Sequence, residues 1–194
     1  MRRLCVFCGS STGNRPEYRG AARRLGELLA ERGVGLVFGA GHVGLMGVLA
    51  DALLRQGGEV IGVIPQALVD KELAHPGLTE LRVVDTMHQR KSLMADLSDG
   101  FAALPGGYGT ADEFFEILTW AQLGLHAKPI GLLNVAGFFD PLLAWVDHCV
   151  REAFIRPEHR ARLQVSADPE GLLDMLARYR APAETPKWIE EEDR

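Results

Sequence analysis

The length, composition and charge of the chain exclude several classes of protein. Its 194 residues, 47% hydrophobic and 24% charged, suit one globular domain with a three-layer core. A net charge of −5 gives no support to binding of a nucleic acid polymer, although a local basic cluster could still hold one phosphate. No apolar run approaches membrane-spanning length, and the run at 4–8 is too short for a signal peptide. We therefore expect a cytoplasmic protein that contacts no membrane.

Apolar runs that predict strands alternate with segments of helical periodicity along the chain. The predicted strands are 4–8, 35–38, 60–64, 81–84, 101–104, 130–133 and 163–165, and the predicted helices are 16–32, 43–56, 87–98, 111–123, 139–153 and 169–179. Nearly continuous apolar strands that alternate with helices indicate a parallel sheet with helices on both faces. The sequence thus predicts a single Rossmann-like α/β domain over residues 1–180, followed by an acidic, Pro-containing tail at 181–194 with the composition of a disordered segment.

The cysteines and histidines do not indicate a metal or redox site. Cys5 and Cys8 have C-x-x-C spacing, but they lie in a predicted strand, where residues three apart point to opposite faces. We interpret them as buried structural cysteines. The six histidines include no pair with ligand spacing. No metal and no other cofactor is expected.

Four informative loops follow predicted strands and should meet at one edge of the sheet. They are residues 9–13, 39–44, 65–78 and 106–110. Ligands of open α/β sheets bind outside the carboxyl ends of the strands. The sequence therefore predicts the functional site at this edge.

The segment Pro105-Gly-Gly-Tyr-Gly-Thr110-Ala-Asp-Glu113 lies between a predicted strand and a predicted helix. Its glycines permit positive φ and close approach to a ligand, and the free N–H groups of a helix N-terminus attract an anion. Thr110 can add a hydroxyl donor, and Glu113 places a carboxylate beside the anion. The alternative is a capping box formed by Thr110 and Glu113. Three glycines and a proline exceed what a cap needs, which favours a phosphate site.

Gly39, Gly41 and Gly44 form a G-x-G-x-x-G pattern between a strand and a helix. A dinucleotide site would place this pattern after the first strand and an acidic residue after the next one. Here the pattern follows the second strand, and the third ends Val63-Ile-Pro65 without an acid. We interpret the turn as a nucleotide contact, with close helix–strand packing as the alternative for each glycine.

Two long motifs resemble those of the LOG ("Lonely Guy") phosphoribohydrolases and occur in the same order along the chain as in that family. Pro105-Gly-Gly-Tyr-Gly-Thr110-x-x-Glu113 is similar to their PGGxGTxxE signature, and Met87-His-Gln-Arg90-Lys91 is similar to their second motif. The resemblance covers approximately residues 4–180. Without it, the cluster at 87–91 would equally fit a solvated helix start.

The resemblance implies a function and a set of site residues. The implied reaction is hydrolysis of the N-glycosidic bond of a nucleoside 5′-monophosphate, with N6-modified adenosine monophosphates (cytokinin nucleotides) as favoured substrates and free base and ribose 5-phosphate as products. Arg90 and Glu113 are the implied catalytic residues. The expected substrate contacts are Gly9, Ser10, Gly41, Gly44, Glu72, Lys91, Gly106, Gly107, Tyr108, Gly109, Thr110, Glu116 and Thr119.

The resemblance also implies a homodimer with active sites near the interface. The predicted helix 111–123 has Phe114, Phe115, Leu118 and Trp120 on more than one face. A helix that is apolar nearly all round is buried by more than its own sheet. We therefore expect this helix or its neighbour to form a two-fold interface.

The sequence leaves two other functions as alternatives. A carrier that binds a nucleotide or the molybdenum cofactor without hydrolysis is one, because related folds include such carriers; the presence of both Arg90 and Glu113 argues against it. A pyridoxal enzyme is the other, because the family has often been labelled lysine decarboxylase. Such an enzyme needs a Schiff-base lysine, and none of the four lysines (71, 91, 128 and 187) has a suitable context.

Overall fold

The computed structural model describes residues 1–71 and 74–181, and its centre is a parallel sheet of seven strands. The strands are β1 Arg3–Phe7, β2 Gly35–Phe38, β3 Val60–Pro65, β4 Glu80–Val84, β5 Gly100–Ala103, β6 Ile130–Leu133 and β7 Leu163–Ser166. Their order in the sheet is β4-β3-β2-β1-β5-β6-β7, and all six neighbouring pairs are parallel. This confirms the predicted α/β class.

Helices cover both faces of the sheet. They are α1 Pro16–Glu31, α2 Gly44–Leu54, α3 Gln66–Val69, α4 Met87–Asp96, α5 Tyr108–Gln122, α6 Asp140–Arg151, α7 Pro157–Arg160 and α8 Pro169–Arg178, with a 3₁₀ turn at Val135–Gly137. One core lies between the sheet and α1, α2 and α8. The other lies between the sheet and α4, α5 and α6. The five inner strands are almost wholly buried and apolar because both of their faces are covered, whereas the edge strands β4 and β7 carry polar residues and are partly exposed.

Strand β1 shows how the sequence supplies both cores. Leu4, Val6 and Cys8 belong to the first core, whereas Cys5 and Phe7 belong to the second. This alternation confirms that the two cysteines point to opposite faces. Burial raises the pKa of both thiols, which keeps them protonated and unreactive.

All seven predicted strands and all six predicted helices are present, with ends displaced by a few residues. The sequence interpretation missed α3 and α7, each of four residues, because one helical turn is too short to show a hydrophobic period. It also began α5 at residue 111, whereas the helix begins at Tyr108. Glu72 and residues 182–194 of the predicted tail lie outside the described residues, and the domain boundary at 180 stays a prediction.

The order of the strands fixes where a ligand can bind. The chain moves outward from β1 through β2 and β3 to β4 on one side, and through β5 and β6 to β7 on the other. The loops after β1 and β5 therefore leave the sheet in opposite directions and open a crevice between them. Within the described ranges, no helix has the length and hydrophobicity that a membrane span requires.

Candidate active site

A cleft of about 470 Å³ opens at the carboxyl ends of the central strands. The four predicted loops meet here, which confirms their expected convergence. The lining residues come from the ends of β1, β2 and β3, from the loops that follow β1, β2 and β5, and from α2, α3, α4 and α5: Cys8, Gly9, Ser10, Gly39, Gly41, Val43, Met46, Ile64, Leu68, Arg90, Gly107, Tyr108, Gly109, Thr110 and Glu113.

The start of α5 forms one wall of the cleft. Gly107 is the residue before the first helical turn, and its carbonyl accepts a hydrogen bond from the Ala111 N–H at 3.0 Å. The N–H groups of Tyr108, Gly109 and Thr110 belong to the first turn and have no partner within the helix. These N–H groups and the positive end of the helix dipole lie at the cleft, and a helix N-terminus of this kind can hold an anion.

The structure excludes the capping-box alternative for this segment. Thr110 lies inside α5, and no side chain caps the helix, so Thr110 and Glu113 do not form a capping box. Gly106, Gly107 and Gly109 are also not among the residues with positive φ. Steric space, not positive φ, explains glycine at these positions. A Cβ on Gly106 would overlap Thr110 Oγ1 and would lie 2.9 Å from the Gly9 nitrogen.

Gly107 and Gly109 have open space where a side chain would begin. A Cβ on either residue would meet no heavy atom within 4 Å. These glycines therefore leave the helix N-terminus uncovered on the cleft side, which lets a ligand approach the backbone closely. Tyr108, between them, is 97% exposed and lies at the rim.

Arg90 enters the cleft from α4. This helix begins with a capping box in which Thr86 Oγ1 accepts from the Gln89 N–H at 3.1 Å and Gln89 Oε1 accepts from the Thr86 N–H at 3.1 Å. The spacing of Thr86 and Gln89 in the sequence would have predicted it. Arg90 is only 9% exposed, which rules out the solvated helix start.

The Arg90 guanidinium is held by backbone carbonyls of two strand ends. Nε donates to the carbonyl of Val63 in β3 at 3.1 Å, and Nη2 donates to the carbonyl of Gly39 after β2 at 3.2 Å. Nη1 is left facing Glu113, whose Oε1 lies 3.4 Å away. Two fixed bonds thus aim the third nitrogen of the fork at the carboxylate.

Glu113 is 9% exposed, and its burial and the neighbouring positive charge shift the pKa of its carboxyl in opposite directions. Burial raises the pKa of its carboxyl above the ordinary value, and the positive charge of Arg90 opposes that rise only in part. A carboxyl with a raised pKa can exchange a proton nearer to neutral pH than an exposed one. This is the property that a general acid or base requires.

Lys91 and Glu116 lie behind the cleft. Lys91 Nζ is 3.1 Å from both Asp112 Oδ2 and Glu116 Oε1, so it joins α4 to α5. Burial lowers the pKa of Lys91, but the hydrogen bonds to the two carboxylates outweigh it and leave the pKa raised. Neither Lys91 nor Glu116 lines the cleft, and their expected substrate contacts stay predictions.

The structure separates Gly44 and Thr119 from the cleft lining. Gly44 has a φ of +63°, and a Cβ there would overlap the backbone of Ser10 and Ser11, so it serves close packing. Thr119 Oγ1 donates to the Phe115 carbonyl at 2.8 Å and lines a separate pocket beside Trp145. Gly41 does line the cleft and forms a bridge to Ala74. Glu72 is outside the described residues.

One wall of the cleft was missed by the sequence analysis. It consists of four apolar side chains, which we call the apolar wall: Val43, Met46, Ile64 and Leu68. An apolar residue at the end of a strand or the start of a helix has the same sequence pattern whether it lines a cleft or a core. No signal in one sequence could have identified this wall.

These features define a class: a Rossmann-like α/β protein with a helix N-terminus for an anion and a buried Arg–Glu pair beside it. In the part of the chain that the structure describes, no three His, Cys, Asp or Glu side chains are grouped as a metal site requires.

Comparison with known proteins identifies the family. A family model described as "Possible lysine decarboxylase" matches residues 46–176. The chain is 51% identical to the cytokinin riboside 5′-monophosphate phosphoribohydrolase LOG of rice, over 86% of this chain and 69% of that one. It is 47% identical to LOG1 of Arabidopsis thaliana, over 92% of this chain and 84% of that one. The chain belongs to the LOG family, which confirms the resemblance.

Solved structures confirm the fold. A molybdenum cofactor binding protein from Rippkaea orientalis superposes with a TM-score of 0.70 and 20% identity, over 91% of this chain and 96% of that one. The molybdenum cofactor carrier protein of Chlamydomonas reinhardtii gives 0.68 and 21%, over 91% and 96%. At this identity the likeness extends to the fold alone.

The raised pKa of Glu113 predicts a pH-dependent stability difference. Because the folded pKa is above the ordinary value of 4.5, folding favours the protonated carboxyl, and stability is lost as pH rises through the folded pKa. Glu113→Gln stays neutral, so we expect it to unfold at a higher temperature than the wild type at neutral pH. The gain should shrink below pH 4.5. Asp112→Asn, at an exposed neighbour, should show no such gain. A less stable Glu113→Gln at neutral pH would contradict this electrostatic description.

Proposed function

We propose that the protein hydrolyses the N-glycosidic bond of cytokinin riboside 5′-monophosphates, releasing the free base and ribose 5-phosphate. The observation that carries this proposal is the buried Arg90–Glu113 pair, 3.4 Å apart, beside a helix N-terminus that can hold a phosphate. The names of relatives that are about half identical over most of the chain support the same reaction.

The 5′-phosphate would bind at the start of α5. The N–H groups of Tyr108, Gly109 and Thr110 supply donors, and the helix dipole supplies a favourable potential. Ser10, in the loop after β1, lines the same cleft and can add a hydroxyl donor. The phosphate lies away from the reacting carbon, so its binding energy can place the ribose against Glu113.

Glu113 would act at the anomeric carbon. Glycosidic cleavage proceeds through an oxocarbenium-like transition state, which a nearby carboxylate stabilises. The same carboxylate can accept a proton from the attacking water, and its raised pKa suits that transfer. Water adds to the anomeric carbon as the bond to the base nitrogen breaks, and the base leaves with that electron pair and gains a proton.

Arg90 would stabilise the departing base. Its Nη1 is the nitrogen of the fork that is free of strand carbonyls and faces the reaction centre, so it can donate to a base that gains negative charge. The apolar wall lines the same cleft, and we propose that it contacts the base and an apolar N6 substituent. We propose Gly9, Gly41 and Gly107 as the backbone contacts between these two ends.

A cofactor-dependent decarboxylase is not supported by the residues of the cleft. Of the lysines in the described ranges, none lines the cleft: Lys91 bridges two carboxylates, and Lys128 Nζ donates to the Ala95 carbonyl at 2.8 Å. The carrier function of the structural neighbours does not transfer at 20% identity. A cytoplasmic location is proposed on the sequence alone.

Glu113→Gln removes the carboxylate charge while keeping the shape of the side chain. We expect turnover to fall by about 10²–10⁴, as is typical for loss of a general base or electrostatic stabiliser. The measurement is release of free base from AMP and from isopentenyladenosine 5′-monophosphate. Asp112→Asn removes a charge from the adjacent, exposed position and should retain most of the rate. Near-normal turnover by Glu113→Gln would leave Glu113 with a structural role only.

The enzyme should require the 5′-phosphate. Charge-assisted hydrogen bonds contribute about 1.5–3 kcal/mol each, so losing two or three of them should lower kcat/KM for adenosine by several powers of ten relative to AMP. The decrease should include kcat, because the phosphate also positions the ribose. Comparable rates for adenosine and AMP in parallel assays would show that the start of α5 binds something other than this phosphate.

We also propose a two-fold dimer through α5 and α6. Phe114 is buried in the core, whereas Phe115 packs edge-to-face on Trp145 of α6 at 5.8 Å between ring centroids. Trp145 is 54% exposed and Phe154, after α6, is 79% exposed. Large apolar side chains clustered on a surface mark an interface.

Sedimentation velocity at micromolar concentration tests this assembly. The wild type should sediment as a dimer, and Trp145→Glu should shift it toward monomer, because a buried charge without a partner opposes association. Glu152→Lys, at an exposed position near the end of α6, is a control for charge alone. A monomeric wild type would contradict the proposed interface.

A further inference from the structure

Gly39 packs so closely against the Arg90 guanidinium that a side chain at position 39 would overlap it. It follows β2 at the floor of the cleft, and a Cβ built on it would overlap Arg90 Nη2 and lie 2.9 Å from Arg90 Cζ. The three nearest heavy atoms to that Cβ all belong to the Arg90 side chain. The backbone itself does not require glycine here, because Gly39 is not among the residues with positive φ. The space taken by the guanidinium is therefore the reason for glycine at this position.

The same residue also holds the guanidinium. The Gly39 carbonyl accepts from Nη2 at 3.2 Å, while the Val63 carbonyl accepts from Nε at 3.1 Å. These two bonds fix the plane of the fork and leave Nη1 3.4 Å from Glu113 Oε1. An alanine at position 39 would keep its carbonyl but would push the fork away from it.

We infer that Gly39 is a positioning residue, which acts through Arg90 by leaving room for the guanidinium between β2 and β3. Its kinetic consequence rests on the proposed hydrolase function. Arg90 is flexible at its end, so Gly39→Ala should displace the guanidinium and leave the fold intact. Gly44 differs from Gly39 in this respect. A Cβ on Gly44 would overlap backbone atoms of the 9–13 loop, and no side-chain movement could relieve that overlap.

A double-mutant cycle between Gly39→Ala and Arg90→Ala tests this action. Gly39→Ala should lower kcat by about 10²-fold, the scale of a misplaced catalytic group, with a smaller effect on KM. In the Arg90→Ala background the same change should cause no further loss, because the group it displaces is gone. Gly20→Ala, on α1 with no heavy atom within 4 Å of the added Cβ, should behave as wild type. Either a near-normal Gly39→Ala or a full additional loss in the double variant would overturn the inference.

The pH profile adds a readout that a merely structural defect would not give. The charge of Arg90 lowers the pKa of Glu113. Lys91 also lowers it, and Asp112 and Glu116 raise it, but Gly39→Ala leaves these three groups in place. Displacing the guanidinium should therefore move the acidic limb of the kcat profile to higher pH in Gly39→Ala, as in Arg90→Ala. A limb that moves in Arg90→Ala but not in Gly39→Ala would contradict the proposed displacement.

An NMR measurement separates this inference from the proposed function. The Arg90 Nε–H group, bonded to the Val63 carbonyl, should give a protected side-chain signal, identified as the one that Arg90→Ala removes. Gly39→Ala should shift or remove it, and Gly20→Ala should not. An unchanged signal overturns the inference whatever the activity, and so does an unfolded Gly39→Ala in a thermal melt. A wild type without turnover would overturn only the function, because the spectrum still decides the position of Arg90.

Discussion

The arrangement of the site depends on one buried ion pair, Arg90 with Glu113. Removing a guanidinium and a carboxylate from water costs several kcal/mol for each ion, and attraction at 3.4 Å offsets this only when other hydrogen bonds satisfy the groups. The carbonyls of Gly39 and Val63 provide those bonds for Arg90. Within residues 1–71 and 74–181, the Glu113 carboxylate accepts no comparable hydrogen bonds, and burial therefore leaves its pKa raised. The guanidinium therefore has two backbone hydrogen bonds that compensate for its burial, whereas the carboxylate beside it depends on the ion pair.

The topology of the sheet makes this pair possible. Arg90 comes from α4 and is held by the ends of β2 and β3, on one side of the crevice between the loops after β1 and β5. Glu113 comes from α5, after β5 on the other side. The start of α5, where we propose that the phosphate binds, lies one helical turn before Glu113, and the apolar wall lines the same cleft. A nucleotide bound in the crevice would therefore have phosphate donors, the ion pair and an apolar surface within one cleft.

Local sequence patterns predicted the sheet and the long helices, because buried parallel strands are apolar runs and helices show a regular hydrophobic period. The glycine-containing loops after the strands predicted the edge at which those loops meet. They could not predict the environment of Arg90, whose partners lie 27 and 51 residues away in the chain. The same limit applies to Gly39, since its need for glycine arises from a side chain on a different helix. Glu113 illustrates a different difficulty: its pattern with Thr110 matches a capping box, and only the start of α5 at Tyr108 excludes that interpretation. The family motifs nevertheless singled out both members of the ion pair.

The fold is shared with molybdenum cofactor carriers, whereas the sequence belongs to the LOG family, so activity must be decided at the site. The most direct measurement follows the bond itself. Purified protein is incubated with isopentenyladenosine 5′-monophosphate, and free base, ribose 5-phosphate and remaining nucleotide are quantified by chromatography over time. The account predicts that base and ribose 5-phosphate accumulate in equal amounts over many turnovers as the nucleotide disappears. Recovery of the nucleotide intact, even when it binds the protein, would contradict hydrolysis and favour a carrier.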